Sequence, residues 1–368
     1  MSSLILDDFT DLIERPDGGV RRDAEERRAR LTVPPGALGR LDELGEWLSA
    51  AQSAVPVRPV ERPRVVLFAG DHGVAELGVS ARPAGSAAEL VRAVLSGASP
   101  VATLARSLDV PVRVVDLALD CEPGSLPAEV AGHRVRRGSG RTDIEDALTA
   151  EEAEQAVRAG MRVADEEADS GTDLVVLGDI SVGGTTPAAT LIAALCGTDA
   201  SVVTGRGGEH IDDLTWMRKC AAVRDSLRRA RPVLGDQLQL LAAVGGADIA
   251  ALTGFLLQCA VRRTPVILDG VVTSAAALVA QRVAFRSPDW WLAGHNSGEP
   301  AQAKALDRMA LEPLLDQGVK VGEGLGALLA LPLVRSAAAL AAELPERKPD
   351  TEPEDTHEDT QEGAPDEE

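Results

Sequence analysis

The stretch LVVLGDISVGGTTPAATLIAALC, residues 174–196, carries a strand, a glycine-rich turn and a helix in one piece. Residues 174–178 form a short continuous apolar run, the pattern of a strand buried on both faces. Gly183 and Gly184 follow as punctuation, and residues 187–196 then read as an apolar helix. Pro187 suits a first helical turn and places Thr186 near the N-cap. The same alternation recurs outward along the chain. Strand-like runs at 64–69, 110–117, 201–203, 265–268 and 290–293 alternate with helical stretches at 86–108, 150–168, 214–231, 248–262 and 274–283. Short buried strands joined by helices predict an α/β protein with a mostly parallel, doubly wound sheet covered on both faces. Leu38, Leu41, Leu44 and Leu48 add a helical stripe before it. An Ala/Leu-rich stretch at 327–344 closes the folded part, kinked or broken at Pro332.

A length of 368 residues with 45% hydrophobic and 26% charged residues excludes wholesale disorder and allows one large α/β domain with an accessory lobe. The net charge of −21 argues against non-specific affinity for nucleic acid or an anionic membrane. Much of that excess is local: residues 345–368 hold eleven acidic and two basic side chains, four prolines and no large apolar residue. They read as a disordered, solvating tail. No uninterrupted apolar run approaches the ~18 residues of a membrane span. Residues 1–22 mix acids and arginines without an apolar signal core, so the expected location is cytoplasmic. Cys121, Cys196, Cys220 and Cys259 lie far apart without metal-ligand spacing and read as reduced structural thiols.

Ligands of open α/β sheets bind beyond the carboxyl ends of strands, and the glycines cluster where strands end. Five clusters therefore carry the candidate chemistry. Asp71 and His72 sit between Gly70 and Gly73, as ligand-orienting groups or as residues of a satisfied turn. Asp179, Ser181, Gly183, Gly184, Thr185 and Thr186 compose an anion cradle of close backbone, hydroxyls and helix-terminal amides. Gly205 opens a GRGG turn, and Lys219 follows one helical stretch later as a flexible point charge. His295 and Ser297 occupy a polar turn among glycines, AGHNSGEP. Finally, Glu323 lies between Gly322 and Gly324 at the entrance to an apolar helix. Either it complements that helix terminus, or desolvation raises its pKa and makes it a general base.

Together these clusters resemble the nicotinate-nucleotide–dimethylbenzimidazole phosphoribosyltransferases of cobalamin nucleotide-loop assembly. The matching runs, in order, are LGRL (38–41), GDHGVAELGV (70–79), TTPAA (185–189), VGGADIAALTG (244–254), PVILDG (265–270), AGHNSGEP (293–300), LEPLLD (311–316) and VGEGLGA (321–327). The resemblance covers about residues 34–344. It implies a Rossmann-like sheet, a small helical lobe built from both ends of the chain, and a homodimer. The implied layout is an N-terminal arm and lobe helices at 1–60, an α/β domain at 61–310, a C-terminal segment at 311–344 and the tail at 345–368. The implied reaction moves the phosphoribosyl group of nicotinate mononucleotide to 5,6-dimethylbenzimidazole, without metal or cofactor, with Glu323 as proton acceptor. Phosphate and ribose then fall to the turn at 183–186, Lys219 and the turn at 295–297. An apolar slot beside residues 78–90 takes the benzimidazole.

The sequence departs from the family pattern in places. Asp179, Ser181 and Gly184 replace Glu, Gly and Asn, and Ala87-Ala88-Glu89 replaces Thr-Ala-Gln. Leu325 replaces a small hydroxyl residue. Glu209 and His210 lengthen the glycine turn at 205–210 by one residue, and whether that turn serves as a lid is open. Asp179 and Glu89 leave another azole or purine acceptor open. Two other classes compete: a metal-dependent hydrolase built on Asp71, His72 and His295, and a non-catalytic nucleotide-binding regulator whose tail recruits partners.

Overall fold

Val65, Leu67 and Ala69 belong to one apolar cluster and Val66 and Phe68 to another, and none of the five is exposed to solvent. Successive side chains of a strand point to opposite faces, so this split means that both faces of strand β1, Pro63–Asp71, are covered. That is why the strands read as continuous apolar runs rather than alternating ones. The computed structural model describes residues 6–208 and 211–347, with no statement about the side chain of Asp7. Glu209, His210 and all but the first three residues of the acidic tail lie outside the described residues, and with them the lid and partner-recruiting readings.

Strands β1, β2 (Val112–Ala118), β3 (Leu174–Val182), β4 (Val266–Leu268), β5 (Trp291–His295) and β6 (Pro313–Leu315) form one sheet in the order β2-β1-β3-β4-β5-β6. Every pairing is parallel. The chain leaves β1 for one side and returns to β3 on the other, so the topological switch point lies between them. One face carries helices Ala150–Asp169, Thr185–Cys196, Ala247–Val261 and Val271–Val283. The other carries Ala87–Leu95, Pro100–Ser107 and Leu325–Glu343.

Several elements differ from expectation. Residues 201–203 fall in a helical turn, Ala200–Val203, rather than a strand. β6 comes from Pro313-Leu314-Leu315, too short and proline-led to announce itself. The stretch 86–108 is two helices, because Ser99 caps the second with its hydroxyl and Pro100 starts it. Helix Thr185–Cys196 begins two residues early, with Gly184 rather than Thr186 at its N-cap. Pro332 does not break the closing helix, which runs from Leu325 to Glu343. That helix also has the length and apolarity of a membrane span. Arg335 and Ser336 hide this from a count of uninterrupted runs. In the folded chain Ala327, Leu328, Leu331 and Val334 lie in the sheet core.

The two ends of the chain meet. Helix Gly18–Ala29 packs on Arg40–Gln52, which packs on the closing helix. Arg27 donates to the carbonyls of Ala341 and Ala342, satisfying orphan acceptors at that helix's C-terminus. An antiparallel bridge joins Leu31 to Glu346.

Candidate active site

β3 ends in Asp179, Ser181 and the Gly183-Gly184 turn, β4 in Asp269 and Gly270, and β5 in His295. These ends line one cavity of about 740 Å³, within the range of small-molecule sites. Of the residues singled out above, Asp179, Ser181, Gly183, Gly184, Thr185, Lys219, His295, Ser297, Gly322 and Glu323 face it.

The cationic side of the cavity is built on helix Asp213–Ala230. Lys219 is 2% exposed and donates from Nζ to Thr185 Oγ1 at 2.9 Å. Burial pulls its pKa down, opposed by the charge of Glu299. Ser297 donates from its amide and hydroxyl to Gln302 Oε1, at 2.8 and 2.6 Å. Gln302 in turn donates to the carbonyls of Asp269 and His295, which fixes the turn.

Glu323 is held by a close approach of backbones. A Cβ on Gly178 would lie 2.4 Å from the Gly324 nitrogen, so β3 and the closing loop meet with no side chain between them. Gly324 N and Ala327 N both donate to the buried Asp269 carboxylate, at 3.1 and 3.0 Å. This pins the loop and caps the closing helix. Glu323 itself adopts φ 57°, left-handed and rare for a side-chain-bearing residue. It is 9% exposed, and its Oε2 is buried without a hydrogen-bond partner. Burial raises its pKa; the charge of Arg82 opposes the rise and that of Asp269 adds to it. The Asp179 carboxyl, on the same floor, accepts from Ser181 Oγ at 2.8 Å. Burial pushes its pKa up to about 7; the Ser181 bond opposes this and Asp248 and Asp269 add to it.

Five of the expected residues do not face the cavity. Asp71 turns inward and accepts from the amides of Ala87 and Asp120, tying loops together. His72 is buried and pairs with Asp248. Thr186 is enclosed within the first helical turn. Gly205 packs against the Glu299 carboxylate, and Gly324 serves as the N-cap of the closing helix. The residues of the hydrolase reading do not come together either. His72 faces Asp248, while His295 Nε2 lies 3.3 Å from Asp269 Oδ1. Among the described residues no group of three or more His, Cys, Asp or Glu is placed to hold a metal. Glu89 is exposed and outside the lining, so of the two residues that leave another acceptor open only Asp179 faces the cavity.

Sequence reasoning missed Arg82, Asp269, Glu299 and Lys320, all of which line the cavity. Asp269 and Glu299 carried a signal, since they stand in the matched runs PVILDG and AGHNSGEP. Arg82 and Lys320 carried none.

A dry carboxylate facing a buried lysine and a glycine cradle across one crevice suits group transfer on a small anionic substrate. At the carboxyl ends of a parallel sheet's strands, it marks an α/β enzyme of small-molecule metabolism. The chain belongs to the phosphoribosyltransferase family whose model matches residues 13–348. It is similar to the nicotinate-nucleotide–dimethylbenzimidazole phosphoribosyltransferase of Streptomyces coelicolor, at 84% identity over 93% of this chain and 96% of that one. The protein of the same name from Mycolicibacterium paratuberculosis is 51% identical over 89% and 93%. The crystal structure of CobT from Thermus thermophilus superposes with a TM-score of 0.83 at 37% identity, over 88% of this chain and 96% of that one.

Proposed function

We propose that the protein transfers the phosphoribosyl group of nicotinate mononucleotide to 5,6-dimethylbenzimidazole, giving α-ribazole 5′-phosphate and nicotinate. The observation that carries this reading is Glu323, a buried carboxylate with one oxygen unpartnered, facing a cavity with a buried cation and a glycine turn. The C1′–N bond to the pyridinium breaks, and its electron pair returns to the ring nitrogen, leaving neutral pyridine. A benzimidazole nitrogen supplies the pair for the new bond from the opposite face, which inverts C1′. The N–H proton of the benzimidazole then passes to Glu323. Because the leaving group is already cationic, the protein's own contribution is alignment, a base and a negative field for the developing oxocarbenium.

The raised pKa of Glu323 brings this base nearer to neutrality, where proton transfer is most effective. Gly183, Gly184, Thr185 and Lys219 suit the phosphate, and the turn at 295–297 suits the ribose. Val79, Ala81 and Leu90 supply the apolar wall for the flat acceptor. A second reading keeps the chemistry and changes the acceptor to another azole or purine. Asp179 favours it, because a carboxyl that is partly protonated near neutral pH is able to donate to a ring nitrogen.

The protein is further proposed to act as a homodimer in the cytoplasm. Exposed Leu214 and Met217 on one helix face, 66% and 60% accessible, support the first, and four unpaired cysteines suit the second. Sedimentation velocity reads the assembly state directly. For the reaction, chelator-treated protein is incubated with nicotinate mononucleotide and dimethylbenzimidazole, and products are followed by chromatography. Acceptor-dependent release of nicotinate and α-ribazole phosphate is expected. Preference for adenine in competition replaces the acceptor, and absence of any transfer overturns the reading.

A further inference from the structure

Beneath the cavity floor lies a buried ion pair that this chemistry leaves unused. His72 follows β1, and its Nε2 stands 3.0 Å from Oδ2 of Asp248, in the first turn of helix Ala247–Val261; both side chains are wholly enclosed. The ring presses directly on the floor. A Cβ on Gly184 would lie 3.2 Å from His72 Nε2 and 2.2 Å from Ser181 Oγ, the hydroxyl that donates to Asp179. A Cβ on Gly246 would meet the ring Cε1 at 2.6 Å, so two glycine backbones press directly on the imidazole. The charged groups facing His72 are Asp248, Asp71 and Asp179. Those facing Asp179 are Asp248, Asp269 and His72, beside the Ser181 hydroxyl.

We propose that His72, held as an imidazolium by Asp248, is a positioning residue: it props the Gly183-Gly184 turn from below and governs the charge that Asp179 presents to the cavity. The inference rests on the phosphoribosyl-transfer reading for its catalytic consequence. A neutral imidazole would leave Asp248, Asp71 and Asp179 crowded without a cation between them, and like charges at such spacing suppress one another's ionisation. Burial alone disfavours the imidazolium, but the contact with Asp248 and the charges of Asp71 and Asp179 outweigh it and hold the His72 pKa above its ordinary value. His72 does not line the cavity, so its influence on the reaction passes through Gly184, Ser181 and Asp179.

The test uses three measurements on the full chain. Imidazole ¹⁵N NMR of the wild type at about pH 7.5, above the ordinary histidine pKa, reads whether His72 carries both protons. Carboxyl ¹³C titration follows Asp179 in the wild type, His72→Gln and Asp248→Asn. The pH profile of kcat/KM is recorded for the same three proteins. His72→Gln leaves Asp248 without its cation, so the Asp179 titration and the matching limb of the profile move up by about 1 pH unit. Asp248→Asn removes a carboxylate together with the hold that keeps His72 cationic, so the two changes offset at Asp179, and the same nitrogen measurement on this variant finds a neutral ring. The displaced turn lowers kcat/KM by on the order of 10–100-fold in both variants. A neutral His72 in the wild type, an Asp179 titration that stays put in His72→Gln, or a His72 that keeps both protons in Asp248→Asn overturns the inference. If one variant fails to fold, the wild-type nitrogen spectrum and the other variant's readout still decide. If the wild type makes no α-ribazole phosphate, the reaction reading fails alone, because the Asp179 titration measures the charge coupling without turnover.

Discussion

Glu323 occupies a backbone conformation that side chains avoid, with φ 57° between Gly322 at 76° and Gly324 at 75°. Holding it there requires the Asp269 anchor, and the result is a carboxylate with one oxygen dry and unpaired. Glu323→Gln keeps the shape and removes the base, so turnover falls by about 10²–10⁴-fold while mononucleotide binding stays near wild type; steady-state kinetics and calorimetry check both halves. Asp179 gives a different signature. Its folded pKa is raised to about 7, so the fold favours the protonated form. That contribution is complete below the unfolded pKa of 3.8 and is lost as pH rises through the folded value. Asp179→Asn therefore has little effect on stability at about pH 4 and stabilises at about pH 8, by on the order of 1 kcal/mol. The gain falls well short of full burial because the carboxyl faces the cavity. Thermal melts at the two pH values read it. The glycines around Glu323 were legible in sequence because conformational need is local. Whether Asp71 and His72 face a ligand or the interior was not legible, because the helix that claims His72 arrives 176 residues later.

At the scale of elements, the closing helix is also the mount of the base. Gly178 meets Gly324, and a Cβ on Gly326 would lie 2.0 Å from the His295 ring, so the helix terminus rests directly on the middle of β3 and the end of β5. Gly178→Ala forces strand and loop apart. We expect a loss of about 1–3 kcal/mol in denaturant unfolding. We also expect about a 10²-fold drop in turnover from a displacement of roughly 1 Å. A drop in stability with undiminished turnover would show that the loop repositions Glu323 without this contact. The long strands and helices were legible because each is longer than its turn signals and buried on both strand faces. β6 was not: its three residues pair with β5 only after the helix Pro300–Met309 has folded back. Nor was the split at Ser99, where a cap and a proline outweigh an otherwise continuous helical pattern.

At the scale of the whole molecule, the two chain ends close the structure that holds the base. Arg30 pairs with Glu346 at 2.9 Å, the Arg347 amide donates to the Arg30 carbonyl at 2.7 Å, and Arg27 caps the closing helix. The helix that carries the Glu323 mount at one end is thus latched to the N-terminal helices at the other. The family match ends at residue 348, and the sheet, the cavity lining and the latch described above are all drawn from residues before it. Two truncations separate these roles. A chain ending after Arg347 retains wild-type turnover and melting temperature. A chain ending after Leu344 loses the Leu31–Glu346 bridge and the Arg30 pair, and its melting temperature falls by a few degrees for a loss on the order of 1 kcal/mol. Its turnover falls only where the latch has opened, so the activity loss tracks the melt and disappears on cooling. If the first truncation already abolishes turnover, the tail takes part in the reaction, and the cavity is an incomplete site without it.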